Sequence, residues 1–285
     1  MSCVAATEGL STGCSANRLG VAVMDTAVRR PRSWLSQRHS LYKEALLVLG
    51  LYGLYELARG LVVGQPGQAE QHAHRLVALE RSLHVFHEAT VQRAAHALPG
   101  LIGLLGTAYL TLHLLVTVAV LLWLHQRRPS VFAFVRTTLL LASGLALVGF
   151  LLYPTAPPRL AGIGIADTVS NGHISLNHGL VSTLYNPYAA IPSMHIGYAL
   201  VASASLLIYG RAPLLRVLGL LYVPAVLLVV VATGNHFFVD AAAGALVAGL
   251  GAAAAAVLTQ QATPTPLTAL PARQEQLPAL EQRAA

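Results

Sequence analysis

The chain has 285 residues, of which 55% are hydrophobic and 10% charged, with a mean hydropathy of +0.61. Soluble domains carry about a quarter charged residues, so this make-up excludes an ordinary soluble domain and predicts a polytopic membrane protein. The formal charge of +7 does not imply nucleic acid, because the arginines fall in short clusters between apolar runs, with no continuous basic stripe and no interleaved aromatics.

Residues 1–40 have no continuous apolar stretch before a small-residue cleavage site, which argues against a removed signal peptide and predicts a disordered N-terminal tail. Cys3 and Cys14 both lie in this tail and are the only cysteines, so neither a disulfide framework nor a cysteine metal site is expected. From residue 41 to 259 six apolar runs follow, at 42–63, 100–124, 131–153, 195–209, 214–233 and 239–259. A helix needs about 20 apolar residues to span a bilayer, and lipid cannot satisfy an open backbone. The expected fold is therefore all-α and integral to the membrane, with six transmembrane helices, the fourth of them short.

Within the first span Glu56 and Arg59 stand at i, i+3, and in the second Tyr109 and His113 stand at i, i+4. Ionisable groups inside spans are either functional or interhelical packing contacts, and packing is the expectation for Glu56 and Arg59. Between these spans, residues 66–99 repeat Leu76, Leu79, Leu83 and Phe86 at helical spacing beside Glu80, His84, His87 and Glu88. That pattern predicts an amphipathic helix in the membrane interface with a solvated polar face. The connection 154–194 is long for a loop and is expected to lie over the active face. Its Tyr185-Asn186-Pro187-Tyr188 reads as a turn, and its His173 and His178 as solvated. Residues 260–285, with Pro264, Pro266, Pro271 and Pro278, are too polar to build a core and are expected to be a disordered cytoplasmic tail.

Lysine and arginine distribute unevenly about these spans. Arg18, Arg29, Arg30, Arg32, Arg38, Lys43, Arg127, Arg128, Arg136, Arg211, Arg216, Arg273 and Arg283 fall on one side, and only Arg59, Arg75, Arg81, Arg93 and Arg159 on the other. With positive charge inside, both termini are cytoplasmic. The ends of the third span and the starts of the fourth and sixth then share the extracytoplasmic face.

Three sequence blocks meet there: Tyr153-Pro154-Thr155-Ala156-Pro157-Pro158-Arg159, Ala190-Ile191-Pro192-Ser193-Met194-His195 and Gly234-Asn235-His236-Phe237-Phe238-Val239-Asp240. His236 and Asp240, at i and i+4, are expected on one helix face, where the carboxylate fixes the imidazole tautomer. His195 and His236 are both expected in first helical turns, whose free N–H groups and dipole favour a phosphate. One arginine, one hydroxyl, two histidines and one aspartate are the parts for phosphoryl transfer through a phosphohistidine. The same His195, His236 and Asp240 would also suit zinc.

In this order the blocks resemble the type 2 phosphatidic acid phosphatase (PAP2) superfamily, and within it the branch of the fungal inositol phosphorylceramide synthases. Arg159, Ser193, His195, His236 and Asp240 match the superfamily's motifs. Leu152 stands in place of the motif lysine, Met194 in place of the motif glycine, and Val229-Val230 in place of the third block's Ser-Arg. The resemblance spans about residues 40–258. It implies His236 as nucleophile, Asp240 as its orienting carboxylate and His195 as general acid. Arg159 and Ser193 are implied to hold the phosphoryl oxygens, with Asn235, Tyr188 and His113 as further substrate-binding residues. The implied substrate is a lipid phosphate or phosphodiester in the bilayer. Neither metal nor cofactor is implied, and nucleic acid is not a partner. Transfer of the phosphoryl headgroup to a lipid alcohol is the alternative chemistry. A transporter would be the alternative class, but its polar groups should cluster at the bilayer midplane.

Overall fold

The computed structural model describes residues 34–61, 66–168 and 186–261. Of the tails expected to be disordered, 34–40 and 260–261 are instead helical, and the rest, with His173, His178 and Tyr185, lie outside the described residues. Residues 34–43 belong to a first unit, and the bundle and the site lie wholly in a second unit that begins at Glu44.

Among the described residues eight α-helices follow one another: α1 (Trp34–Leu61), α2 (Pro66–Ser82), α3 (Glu88–His96), α4 (Leu101–Arg127), α5 (Pro129–Leu152), α6 (Met194–Tyr209), α7 (Pro213–Ala232) and α8 (Phe238–Gln261). No strand occurs among the described residues, only an isolated parallel bridge between Thr155 and Ala189. Proline sets several boundaries. Pro129 and Pro213 occupy the first turns of α5 and α7, where a missing N–H costs nothing, and α5 stops just before Pro154.

Among the described residues four helices, α4, α5, α7 and α8, are long and apolar enough to cross a membrane. The fourth expected run forms the shorter apolar helix α6, of 16 residues. The first run lies in α1, whose final four turns include Glu56 and Arg59. The bundle is centred on α5 against α8 and α6 against α7, with α4 packed on α5, α6 and α7. Small residues permit the closest approaches. A Cβ on Gly251 would press on the Thr138 carbonyl of α5, and one on Gly244 would overlap the Ser193 carbonyl at the head of α6. Several hydroxyls within these helices are satisfied locally: Thr111, Thr138 and Ser143 each donate to a carbonyl four residues back, and Ser143 also meets the Tyr198 hydroxyl of α6 at 2.7 Å.

The expected single amphipathic helix over 66–99 is instead two. The backbone breaks between α2 and α3 at His84, which takes a left-handed φ of 58°. The solvated polar face is also corrected. Glu80 and Glu88 are fully buried, whereas Leu79 and Leu83 are 44% and 58% exposed. The carboxylates turn inward because the head of α8 presents backbone N–H groups that need acceptors.

Candidate active site

The three motif blocks converge, and the backbone around them explains how. The segment after α5 is pinned at both ends. Thr155 N–H donates to the Tyr188 carbonyl at 2.7 Å, and Ala156 N–H donates to the Ala69 carbonyl of α2 at 3.0 Å. The His72 ring stacks on Tyr153 at 3.8 Å and its Nδ1 lies 2.7 Å from the Pro154 carbonyl oxygen. A single turn of 3-10 helix, Pro158–Leu160, then carries Arg159. Its N–H donates to the Gly234 carbonyl at 2.9 Å, joining the first block to the third.

The third block leaves α7 through Gly234, whose φ of +67° lies where side chains are strained. A Cβ there would also press on Ile165 and on the Arg159 side chain. Asn235 and His236 N–H groups both donate back to the Val230 carbonyl, at 3.0 and 3.2 Å. His236 therefore precedes α8 rather than lying in its first turn, correcting the helical i, i+4 picture. The pair still meets, because the chain turns into the helix between them. His236 Nδ1 lies 3.4 Å from Asp240 Oδ2, an ion-pair distance longer than a hydrogen bond. His236 is 4% exposed and Asp240 fully buried.

The head of α8 differs from expectation in a second way. Its leading N–H groups are not free for phosphate. Phe237 N–H donates to Asp240 Oδ2 at 2.9 Å, Phe238 N–H to Glu88 Oε1 at 3.2 Å and Val239 N–H to Glu80 Oε1 at 2.7 Å. Three carboxyl groups thus form a collar around this helix terminus. Burial, helped by the neighbouring Glu88 carboxyl, pushes the pKa of Glu80 up to about 9, so it holds a proton at neutral pH.

The second block begins α6. Ser193 precedes the helix with no side-chain cap, fully buried, and its N–H donates to the Asp240 carbonyl at 2.9 Å. This bond ties the heads of α6 and α8 together and sets the two histidines face to face. The rings of His195 and His236 lie 5.5 Å apart at 59°. His195 stacks on Tyr109 at 4.4 Å and meets the His113 ring at 4.2 Å. Tyr109 and His113, on one face of α4, are therefore part of the histidine cluster.

His195, His236, Asn235 and His113 line one cleft. Asn186, Pro187 and Ala189 close one side. Asn186 Oδ1 accepts the Tyr188 N–H at 2.9 Å, the turn read from the sequence, but Tyr188 itself is not on the wall. Arg159 is also not on the wall. Its Nε donates to Asn235 Oδ1 and its Nη1 pairs with Asp167, both at 2.9 Å, behind the cleft. Ser193 and Asp240 likewise sit behind it. Among the described residues, no group of three or more His, Cys, Asp or Glu side chains is arranged to hold a metal ion.

Sequence reasoning missed one group. Arg59, read as a packing residue, lines the cleft with Glu56, Tyr52 and Tyr55 of α1, opposite the histidines. Nothing in the pattern of the first span sets which way α1 turns, so only the intramembrane charges themselves hinted at it.

No curated protein and no solved structure matches the chain. A sequence profile described as the PAP2 superfamily matches residues 74–254, which begins in α2 and takes in all three blocks, their two histidines and the aspartate behind them. The chain belongs to the PAP2 superfamily.

Proposed function

We propose that the protein is an integral-membrane phosphatase or phosphotransferase that acts on a lipid phosphate or phosphodiester through a phosphohistidine at His236. One observation carries this reading: His195 and His236 face each other across a single cleft, with Asp240 behind Nδ1 of His236. Membership of the superfamily supports the same class of chemistry.

With Nδ1 turned to Asp240, Nε2 of His236 is the nitrogen that attacks phosphorus, and the carboxylate stabilises the charge the ring gains. The bond from phosphorus to the leaving oxygen breaks as protonated His195 gives that oxygen its proton. Neutral His195 then takes a proton from water or an alcohol, whose oxygen attacks phosphorus and breaks the P–N bond. His195 ends protonated, ready for another cycle. Arg159 holds Asn235 from behind and adds positive charge to that wall. The inositol-transferase branch remains a proposal resting on Pro157-Pro158-Arg159 and the His236 to Asp240 block, and in that branch the second acceptor is a lipid alcohol.

The charge distribution supports six spans, cytoplasmic termini and an extracytoplasmic cleft. In a background lacking Cys3 and Cys14, an impermeant maleimide should label Ser170→Cys but not Arg211→Cys in intact cells, and the reverse pattern would invert the orientation. The chemical test is turnover of a panel of lipid phosphates, radiolabelled in the phosphoryl group, by the purified protein, with alkaline denaturing quenching to trap an acid-labile, base-stable phosphoenzyme. Wild type should form it and His236→Ala should not. Activity above about a tenth of wild type in His236→Ala would rule out the phosphohistidine. Loss of activity in EDTA, restored by zinc, would replace it with a metal mechanism.

A further inference from the structure

Resting on the phosphotransfer reading, we infer that Arg59 of α1, ion-paired with Glu56, is the cation that meets the substrate's phosphoryl oxygens in the cleft. The motif position for a lysine holds Leu152, which is 77% exposed and brings no charge. Arg159 is engaged by Asp167 and Asn235 behind the wall. Among the described residues that line the cleft, Arg59 is the one lysine or arginine, and it shares that cleft with His195 and His236.

Its geometry suits the task. Arg59 Nη2 pairs with Glu56 Oε2 at 2.7 Å, and the side chain is 21% exposed. Asn186 Nδ2 donates to the Arg59 backbone carbonyl at 3.0 Å, which anchors α1 to the loop that closes the cleft. The Arg59 Nε is buried with no acceptor among the described residues. A buried guanidinium N–H without an acceptor is costly, and a phosphoryl oxygen in the cleft would supply one as a charge-assisted bond. The single Glu56 contact engages one nitrogen of the guanidinium and leaves donors for an anion. Charge on the equatorial oxygens in the transition state is what such an arginine stabilises.

A packing clasp and an anion site predict opposite things of the two partners. Both Glu56→Gln and Arg59→Gln break the ion pair, so a clasp predicts equal effects. An anion site predicts that Arg59→Gln weakens binding while Glu56→Gln, which removes a negative charge from the cleft, does not. The probe is orthovanadate, titrated calorimetrically into the full chain in detergent micelles. Arg59→Gln should bind it roughly ten- to a hundredfold more weakly than wild type, and Glu56→Gln as tightly or more so. Should Arg59→Gln fold poorly, Glu56→Gln combined with Arg59→Gln neutralises both partners and preserves hydrogen bonding. That double variant should show the same loss. Unchanged affinity on removing Arg59, or equal losses from both single changes, overturns the assignment while leaving the phosphohistidine intact. Wild type that fails to bind vanadate would bring down the phosphotransfer reading and this inference together.

Discussion

The two sides of the cleft are built on opposite plans. On the α8 side the carboxyl groups are committed to backbone within the protein: Asp240, Glu80 and Glu88 hold the N–H groups of Phe237, Val239 and Phe238, each through one oxygen, and Asn235 holds Arg159, so what is left over there is mainly acceptor oxygen. On the α1 side Arg59 has one ion-pair partner and a buried Nε without an acceptor. The contrast separates two tasks. Attack on phosphorus needs an imidazole fixed in tautomer and direction, which a closed network provides. Holding an anion that comes and goes needs donors the protein itself leaves open.

The comparison breaks first, and most severely, at Asp240. Asp240→Asn keeps the volume but loses the acceptor charge behind His236, and turnover should fall by roughly a thousandfold or more, as orienting carboxylates of nucleophilic triads do. Binding of vanadate should change far less. Comparable losses in both would mean that Asp240 shapes the whole cleft. The substitutions at Arg59 and Glu56 come next in size, and act on affinity with opposite outcomes. The smallest effect is expected at the carboxyl collar. Glu80, raised to about 9 against the ordinary 4.5, binds a proton in the folded chain that the unfolded chain has already released. Its stabilising contribution is complete below the ordinary value and is lost as pH rises through about 9. Melting temperature in detergent should therefore fall between those limits for wild type. Glu80→Gln, which mimics the protonated carboxyl and can still accept from Val239, should flatten that part of the profile. An unaltered slope would place the titration elsewhere.

The long apolar helices were legible because hydropathy alone defines them, and α4, α5, α7 and α8 lie within a few residues of the expected runs. The convergence of the three blocks was legible from block order and topology. What the chain did not disclose is rotation and local backbone. The phase of α1 about its own axis, which turns Arg59 inward, is not encoded in its own apolar run, and a partner of its final turn, Asn186 on the Arg59 carbonyl, lies 127 residues away in sequence. Glu80 and Glu88 looked like a wet helix face because their acceptor oxygens serve N–H groups more than a hundred residues later. His236 looked helical because i, i+4 spacing also arises where a loop turns into a helix.

That separation bears on how the protein is made. The partners of Glu80 and Glu88 lie 159 and 150 residues downstream, in the final helix of the bundle. During synthesis the two carboxyl groups emerge early and wait, protonated or hydrated, for amides that arrive last. Ser193 waits as well, since its N–H docks on the Asp240 carbonyl. Seating α8 therefore completes the collar, aligns the head of α6 and brings Asp240 behind His236 in one event. A nascent chain halted before residue 240 lacks the Asp240 carboxyl and the carbonyl on which Ser193 docks, so the two histidine-bearing blocks are joined only once α8 is in place.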